Sequence, residues 1–393
     1  MTVGVGEAGL GRRRLRLGMV GGGRGAMIGF VHRLAARMEG GCDLVAGCFS
    51  STPERCRASA AELGVAPERA YDSFAEMARK ESGRADGIDA VVIVTPNHLH
   101  LAAARAFLEA GIDVICDKPM TGTLADAREL ARIVERTGRV FVLTHNYTGY
   151  PMARQARAVV AAGELGATRM VNVEYPQDWL ATPLEAAGQK QAEWRMDPAR
   201  SGPGGCVADI GTHAINLACF VTGLGLDEVA ADVATFVPGR RLDDNVNVLL
   251  RFVSGAKGIL WASQAAPGNA NALRLRVFGE KGGLSWAQED PNYLHLARLG
   301  ESPRRVARGG PEALPAAARA TRLPDGCPEG FLEGFANIYA DAAELIRARL
   351  EGRDPDPGAT LLPTVHDGVA GVEFVEAVIR SGRANGAWTK ARA

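Results

Sequence analysis

An α/β architecture of two domains is predicted for this 393-residue chain, and three observations predict it. Apolar, β-branched runs alternate with segments of helical spacing from about residue 15 to residue 150, the pattern of βαβ units around a parallel sheet. A glycine-rich stretch, GMVGGGRGA, joins the first strand to the first helix. Beyond residue 150 several alternating segments come close together, as in an antiparallel sheet with one face packed on helices. The expected division is a flexible tail over 1–14, a parallel-sheet domain over 15–150, and a second α/β domain over 151–393 whose last helix can pack back on the first.

Each element has its own justification. RLRLGMV (14–20) is a short apolar strand, and helical spacing follows in FVHRLAARME. CDLVAGCFS is the second strand, ending at Ser50; Thr52 and Pro53 then supply an N-cap and a first-turn residue for a helix over 52–63. DAVVIVTP (89–96) is almost continuously apolar, which marks a strand buried on both faces. A helix (98–110), the strand DVICDKP, a helix (123–137) and the strand VFVLTHN complete this half. A linking helix (150–162) leads to a strand over 168–178. VAADVATFV, NVNVLLRFV, KGILWASQAA and LRLRVFGEKGGLSW follow as strands. The Arg-, Pro- and Ala-rich stretch 297–320 is expected to be a surface excursion; helices follow at 331–350 and 368–381.

Composition excludes several classes of function. Lys plus Arg and Asp plus Glu number 45 each, so bulk charge attracts neither nucleic acid nor a membrane surface. The 7 cysteines are scattered without CxxC spacing, which fits free thiols in a reducing compartment rather than disulfides or zinc, and no metal is expected. No apolar run approaches the ~20 residues of a membrane span. GRRRLRLGMVGGG runs into a strand and a glycine loop, not an export-signal core, so a cytoplasmic location is expected.

The glycine loop fits G-x-G-x-x-A at Gly21, Gly23 and Ala26, with Gly22 and Arg24 between. Between a strand and a helix, such a loop lets bare backbone and a helix N-terminus approach a pyrophosphate. At the end of the second strand an acid would select NAD(H); here stand Ser50, Ser51 and Thr52, with Arg55 one turn later, which leans the choice toward NADP(H). Polar groups directly follow three more apolar strands, where a doubly wound sheet places its ligand. They are Thr95, Pro96, Asn97 and His100; Asp117 and Lys118; and Asn146 and Tyr147. After the glycine-rich SGPGGC comes DIGTHAINLACF, an apolar helix that opens with Asp209 and His213 four residues apart, on one face; Asp209 could also cap it.

Together these motifs resemble the Gfo/Idh/MocA oxidoreductases over about residues 14–390. The resemblance rests on the glycine loop, on VTPNHLH, on CDKP against the family's E-K-P, on EWR (193–195), and on GGCVADIGTHAINL against G-G-x-x-x-D-x-G-x-H. Asp117 departs from the family's glutamate. The resemblance implies a Rossmann domain, a second domain with a large, mostly antiparallel open sheet, and NAD(P)-dependent redox chemistry on sugars or cyclitols. It implies Lys118, Asp209 and His213 as catalytic residues. It implies a cofactor site that includes Trp194 and Arg195, and substrate contacts from Tyr147, Gln177 and Trp179. A homodimer or homotetramer through the open sheet is also implied. The alternatives are an NADPH-dependent keto-sugar reductase, similar to anhydrofructose reductases, and a cofactor- or sugar-sensing protein without turnover.

Overall fold

The computed structural model describes residues 13–38 and 41–392. Residues 1–12 of the expected tail lie outside the described residues. The tail's last two residues are held in place. Arg13 donates two hydrogen bonds to Asp89 (2.9 and 2.8 Å), and Arg14 pairs with Asp43 at 2.9 Å.

The chain divides into two compact units. The first gathers residues through Thr121, then Ala125–Gly149 and Phe331–Gly368; the second gathers Gly122–Leu124, Tyr150–Gly330 and residues from Val369 onward. The first unit holds the parallel sheet, with strands β1 (Leu15–Gly21), β2 (Cys42–Cys48), β3 (Ala90–Val94), β4 (Asp113–Cys116) and β5 (Phe141–Leu143) in the order β2-β1-β3-β4-β5. Every residue of β3, β4 and β5 is buried, so both faces of the sheet are covered. The helix Phe74–Ser82 belongs to this unit and carried no expectation. Its signal is the S-x-x-E of Ser73 and Glu76: the Ser73 hydroxyl accepts from the Glu76 amide at 3.1 Å.

The placing of 331–368 corrects the expected division. Phe335, Ile338, Tyr339 and Ile346 of the helix Phe331–Glu351 complete the core built by Leu15, Met19, Val92, Ile115 and Val142. The helix that returns to the first unit is therefore this one, whereas most of the last helix, Val365–Arg383, belongs to the second unit. Apolar periodicity announces a buried stripe but does not say which sheet it covers.

The second unit carries nine strands: β6 (Thr168–Pro176), β7 (Leu226–Ala234), β8 (Asn245–Phe252), β9 (Lys257–Ser263), β10 (Arg274–Gly279), β11 (Gly282–Ala287), β12 (Tyr293–Arg298), β13 (Arg304–Ala307) and β14 (Thr389–Lys390). Their order is β13-β12-β11-β10-β6-β9-β8-β7-β14, antiparallel throughout except for β6 beside β9. The helices Pro151–Ala161 and Thr212–Thr222 cover one face. On the other face Met170, Leu249 and Ile259 are about half exposed. The expected excursion 297–320 is corrected in part: β12 and β13 pair as a hairpin at the sheet edge. Its outward arginines, Arg304 and Arg305, hide the apolar alternation and suit an edge strand exposed to water.

Candidate functional site

In the first unit the nucleotide loop is shaped by close backbone contacts. β1 ends at Gly21, with φ of 81°, and Gly22 follows at 70°. A Cβ at Gly21 would lie 2.9 Å from the Val94 carbonyl oxygen, and one at Gly23 would lie 2.7 Å from the carbonyl oxygen of Phe49. Only glycine suits these positions. Ala26 of the expected pattern closes a turn onto the Gly23 carbonyl (3.0 Å), but the tightest approach of helix to loop is at Gly29, where a Cβ would sit 2.4 Å from the Gly22 Cα. The Arg24 amide donates to the Ser59 hydroxyl (3.0 Å), and its guanidinium pairs with Glu62 on the surface.

At the end of β2, Ser50 is half-buried and Ser51, Thr52 and Arg55 are exposed. Thr52 occupies the N-cap position of the helix Pro53–Glu62 but makes no side-chain cap bond; its hydroxyl faces that of Ser50 at 3.5 Å. Glu54, the nearest acid, pairs instead with Arg57 at 3.7 Å.

The ends of β3, β4 and β5 hold the remaining polar groups of this unit. The Thr95 hydroxyl and the Asn146 amide nitrogen are buried without a hydrogen-bond partner among the described residues. Buried polar atoms are almost always satisfied, and with the bare glycine loop these two fit a dinucleotide. Pro96 and the buried Asn97 lead into a short turn after Thr95. His100 is buried, and its ring bridges the carbonyls of Thr95 (2.8 Å) and Pro119 (3.1 Å), so it ties two strand-end loops together. Asp117 accepts from its neighbour's amide, Lys118 N, at 2.9 Å and from the Thr144 hydroxyl at 3.0 Å. Burial pushes its carboxyl up, but His32, whose Nε2 is 3.9 Å away, together with the charge of Lys118, outweighs burial and holds it down at about 2. Tyr147 is buried, its ring edge-on to Phe331 at 6.4 Å.

Two histidines here escaped the sequence reading. His32 is fully buried and its Nδ1 lies 2.8 Å from the Tyr339 hydroxyl. His145 is buried in the same strand-end stretch as Asn146. Neither has a local signal: His32 sits inside an ordinary helix, and its partners are 307 residues away for Tyr339 and across two strands for Asp117.

In the second unit Asp209 and His213 lie on one continuous helix, but not as an even α-helical pair. Val207–Gly211 forms a π-helical turn, with the Thr212 amide bonded to the Val207 carbonyl, before the α-helix Thr212–Thr222. Asp209 is therefore inside the helix and does not cap it; its own amide donates to the Gly205 carbonyl at 3.0 Å. Such wide turns occur frequently at functional sites. The capping work falls to Asp243. Its buried carboxylate accepts from the amides of Gly205 (2.5 Å) and Val207 (2.8 Å) and from the Cys206 thiol (3.2 Å). Burial raises the Asp243 carboxyl, and those amides pull it back.

Asp209 is bracketed. The Gln264 amide donates to its Oδ2 at 2.8 Å, and Arg195 Nε lies 3.4 Å from the same oxygen. Arg195 stacks over the Trp194 ring at 4.3 Å and lies 5.9 Å from that of Trp179. Sequence reasoning put Trp194 and Arg195 with the cofactor; within this unit they stand beside Asp209. The His213 ring meets the edge of Tyr175 at 6.2 Å. Asn271 Oδ1 accepts from both the Tyr175 hydroxyl (2.6 Å) and the Gln177 amide (2.8 Å). Gln264 had no signal in the sequence, because it follows β9 as one polar residue among several.

Comparisons with known proteins place the chain in a family. Residues 15–145 match the model of an oxidoreductase family with an NAD-binding Rossmann fold, and residues 153–285 match the GFO/IDH/MocA C-terminal domain. The chain belongs to the Gfo/Idh/MocA family of oxidoreductases. An uncharacterized oxidoreductase of Bacillus subtilis is 32% identical over 96% of either chain. Among solved structures, an oxidoreductase from Sinorhizobium meliloti is 53% identical, with a TM-score of 0.88 over 96% of this chain and 100% of that one. An inordinately similar fold is also seen in an inositol dehydrogenase homolog from Azotobacter vinelandii, complexed with NADH and myo-inositol, at 35% identity and a TM-score of 0.89 over 96% of this chain and 98% of that one. This oxidoreductase thus has an NAD-binding Rossmann unit and a family C-terminal domain. No described helix is long and apolar enough to cross a membrane.

The electrostatics of His145 give a pH test. Burial first, and the Lys118 charge second, push its imidazole from 6.5 down to about 3. The unfolded chain therefore binds a proton between those values that the folded chain refuses, and stability falls as pH falls through that window. His145 contributes at most about 1.4 kcal/mol per pH unit to the slope. His145→Asn is expected to show a flatter dependence of unfolding free energy on pH between 4.5 and 6.5, measured by urea titration. An unchanged slope would mean that His145 is not held neutral.

Proposed function

We propose that this oxidoreductase is an NAD(P)-dependent dehydrogenase of a pyranose sugar or cyclitol. The observation that carries the reading is Asp209, set between Gln264 and Arg195 on the polar turn of an otherwise apolar helix that also bears His213. Likeness to the NADH- and myo-inositol-bound homolog supports the substrate class. When bound, the nicotinamide supplies the hydride acceptor. His213 takes the hydroxyl proton from the carbon being oxidised, a role worth ~10²–10⁴ in rate. The Lys118 ammonium stabilises the developing alkoxide. Asp209 accepts a hydrogen bond from a substrate hydroxyl. Gly21, Gly22, Gly23, Arg24 and Ala26 cradle the pyrophosphate, and Thr95, Pro96, Asn97 and Asn146 hold the nicotinamide half. Gln177, Trp179, Trp194 and Arg195 wall the sugar; Asp117 and His100 position Lys118 and its loop. Lys118→Ala and His213→Ala are each expected to lower kcat at least ~10²-fold on the true substrate, with NADH affinity retained in His213→Ala. Normal turnover in both variants would remove the assignment.

The open end of β2 supports NADP(H) as the preferred cofactor and, with it, the keto-sugar reductase direction as the second reading. Ser50, Ser51 and Arg55 are available there, and the adjacent acid Glu54 is turned to Arg57. Arg55→Ala is expected to weaken NADPH binding about tenfold, the worth of one charge-assisted hydrogen bond, and to leave NADH binding unchanged. Tighter NADH binding by the wild type, untouched by the substitution, would reverse the preference.

The half-exposed Met170, Leu249 and Ile259 on the uncovered face of the large sheet support a homodimer or homotetramer built on that face. Ile259 faces Leu249 on β8 and Asn172 on β6, so the three strands present one patch. Ile259→Asp is expected to shift the particle mass toward the monomer in light scattering; an unchanged mass would place the interface elsewhere.

A further inference from the structure

Gln264 stands out among buried polar side chains of the second unit. It is fully buried, just past the end of β9. Its backbone is fixed on both sides: its amide donates to the Asp244 carbonyl (2.8 Å), and its carbonyl accepts from Leu180 (3.1 Å). Its side-chain nitrogen donates to Asp209 Oδ2 at 2.8 Å, which fixes the orientation of the carboxamide, since the reverse flip would set two acceptors against each other. The other end of that carboxamide, Oε1, is buried and has no partner among the described residues. An amide oxygen left so costs about 1–3 kcal/mol. Arg195 Nε, on the same carboxylate oxygen of Asp209, is also buried without a hydrogen bond. An unpartnered acceptor and an underused donor thus flank the carboxylate.

We propose that Gln264 is a specificity-determining residue: its Oε1 accepts a hydrogen bond from one substrate hydroxyl while its Nε2 holds Asp209 in place to accept from another. The inference rests on the polyol reading above. A carboxylate and an amide oxygen linked through the amide N–H form two acceptors side by side, which suits two neighbouring hydroxyl donors on a ring. Neither acceptor can donate, so a ligand that offers only acceptors there, such as a ketone, ether or carboxylate, is refused. The selection is strong because a missing hydroxyl returns Oε1 to its unsatisfied state, and sites of this kind reject analogues lacking the group far better than apolar pockets reject an extra methylene.

The test uses the full-length protein with NADH bound. Binding of myo-inositol and each of its monodeoxy analogues is measured by calorimetry, and turnover with NAD+ and NADP+ is followed alongside. In the wild type, removing one of two adjacent hydroxyls is expected to weaken binding at least tenfold. Gln264→Met, of similar volume, should abolish the discrimination at one of those two positions only, and leave the affinity for NADH as it was. Gln264→Glu keeps an acceptor but sets a second carboxylate against Asp209. It should retain the discrimination while moving the acid limb of the pH–rate profile upward, and it serves if the Met variant does not fold. Unaltered discrimination in Gln264→Met, lost discrimination in Gln264→Glu, or an equal loss on every analogue overturns the proposal, since Oε1 then meets only water or merely braces Asp209. Discrimination in binding without turnover would sustain the Gln264 assignment and remove the dehydrogenase reading. Turnover with unaltered discrimination would do the reverse, and no binding of any polyol would remove both.

Discussion

A strand covered on both faces leaves polar side chains one place to go, its end. The first unit is built on that constraint. β3, β4 and β5 are wholly buried, and the residues that follow them are Thr95, Asp117 with Lys118, and Thr144 through Asn146. Each polar group there must find a partner or remain unsatisfied. Asp117 finds three neighbours, His100 bridges two carbonyls, and the Thr95 hydroxyl and Asn146 amide find none among the described residues. The same burial that makes the sheet stable therefore leaves unfilled hydrogen bonds just past the ends of β3 and β5. The glycine loop serves the same end from β1, since a Cβ at Gly21, Gly23 or Gly29 would strike backbone atoms of its neighbours.

The second unit meets the constraint differently. Its sheet has one open face, and Asp209 and His213 sit where a helix enters. Asp243 and Asp244, consecutive and both buried, do the anchoring. Asp243 gathers the amides of the loop before the π-helical turn, while Asp244 accepts from the amides of Phe236 (2.8 Å) and Val237 (3.0 Å) and from Arg240 (3.1 Å). Arg240, buried in turn, is also held by Glu185 at 2.9 Å. Such carboxylates cost desolvation energy, and removing one partner would strand the rest. They keep Asp209 at a defined place without using Asp209 itself, which is then open to Gln264 and Arg195.

How much of this was legible depends on distance along the chain. The parallel sheet, the glycine loop and the Asp209–His213 helix are local patterns, and they read directly as apolar runs and short motifs. Asp243 caps residues 36 and 38 positions earlier, and nothing local marks that. His32, Gln264 and the helix Phe331–Glu351 were missed or misplaced for the same reason. Their partners are distant in sequence, and a buried polar residue looks like an exposed one until its neighbours are known. Arginines in 297–320 concealed β13 because an edge strand turns its charges outward.

By itself, then, the sequence determined the class of fold, the nucleotide loop, the strand-end positions of Thr95, Lys118 and Asn146, and the pairing of Asp209 with His213 on one helix. These follow from periodicity and from residue types that act through their own backbone. Only tertiary structure decided what each side chain meets: that His100 staples loops, that Tyr147 meets Phe331, that Asp117 is braced by His32, and that Gln264 reaches Asp209 with one end of its amide and leaves the other unmet. Hydrogen bonds between distant segments are set by how elements pack, and packing is a property of the folded chain, not of any window within it.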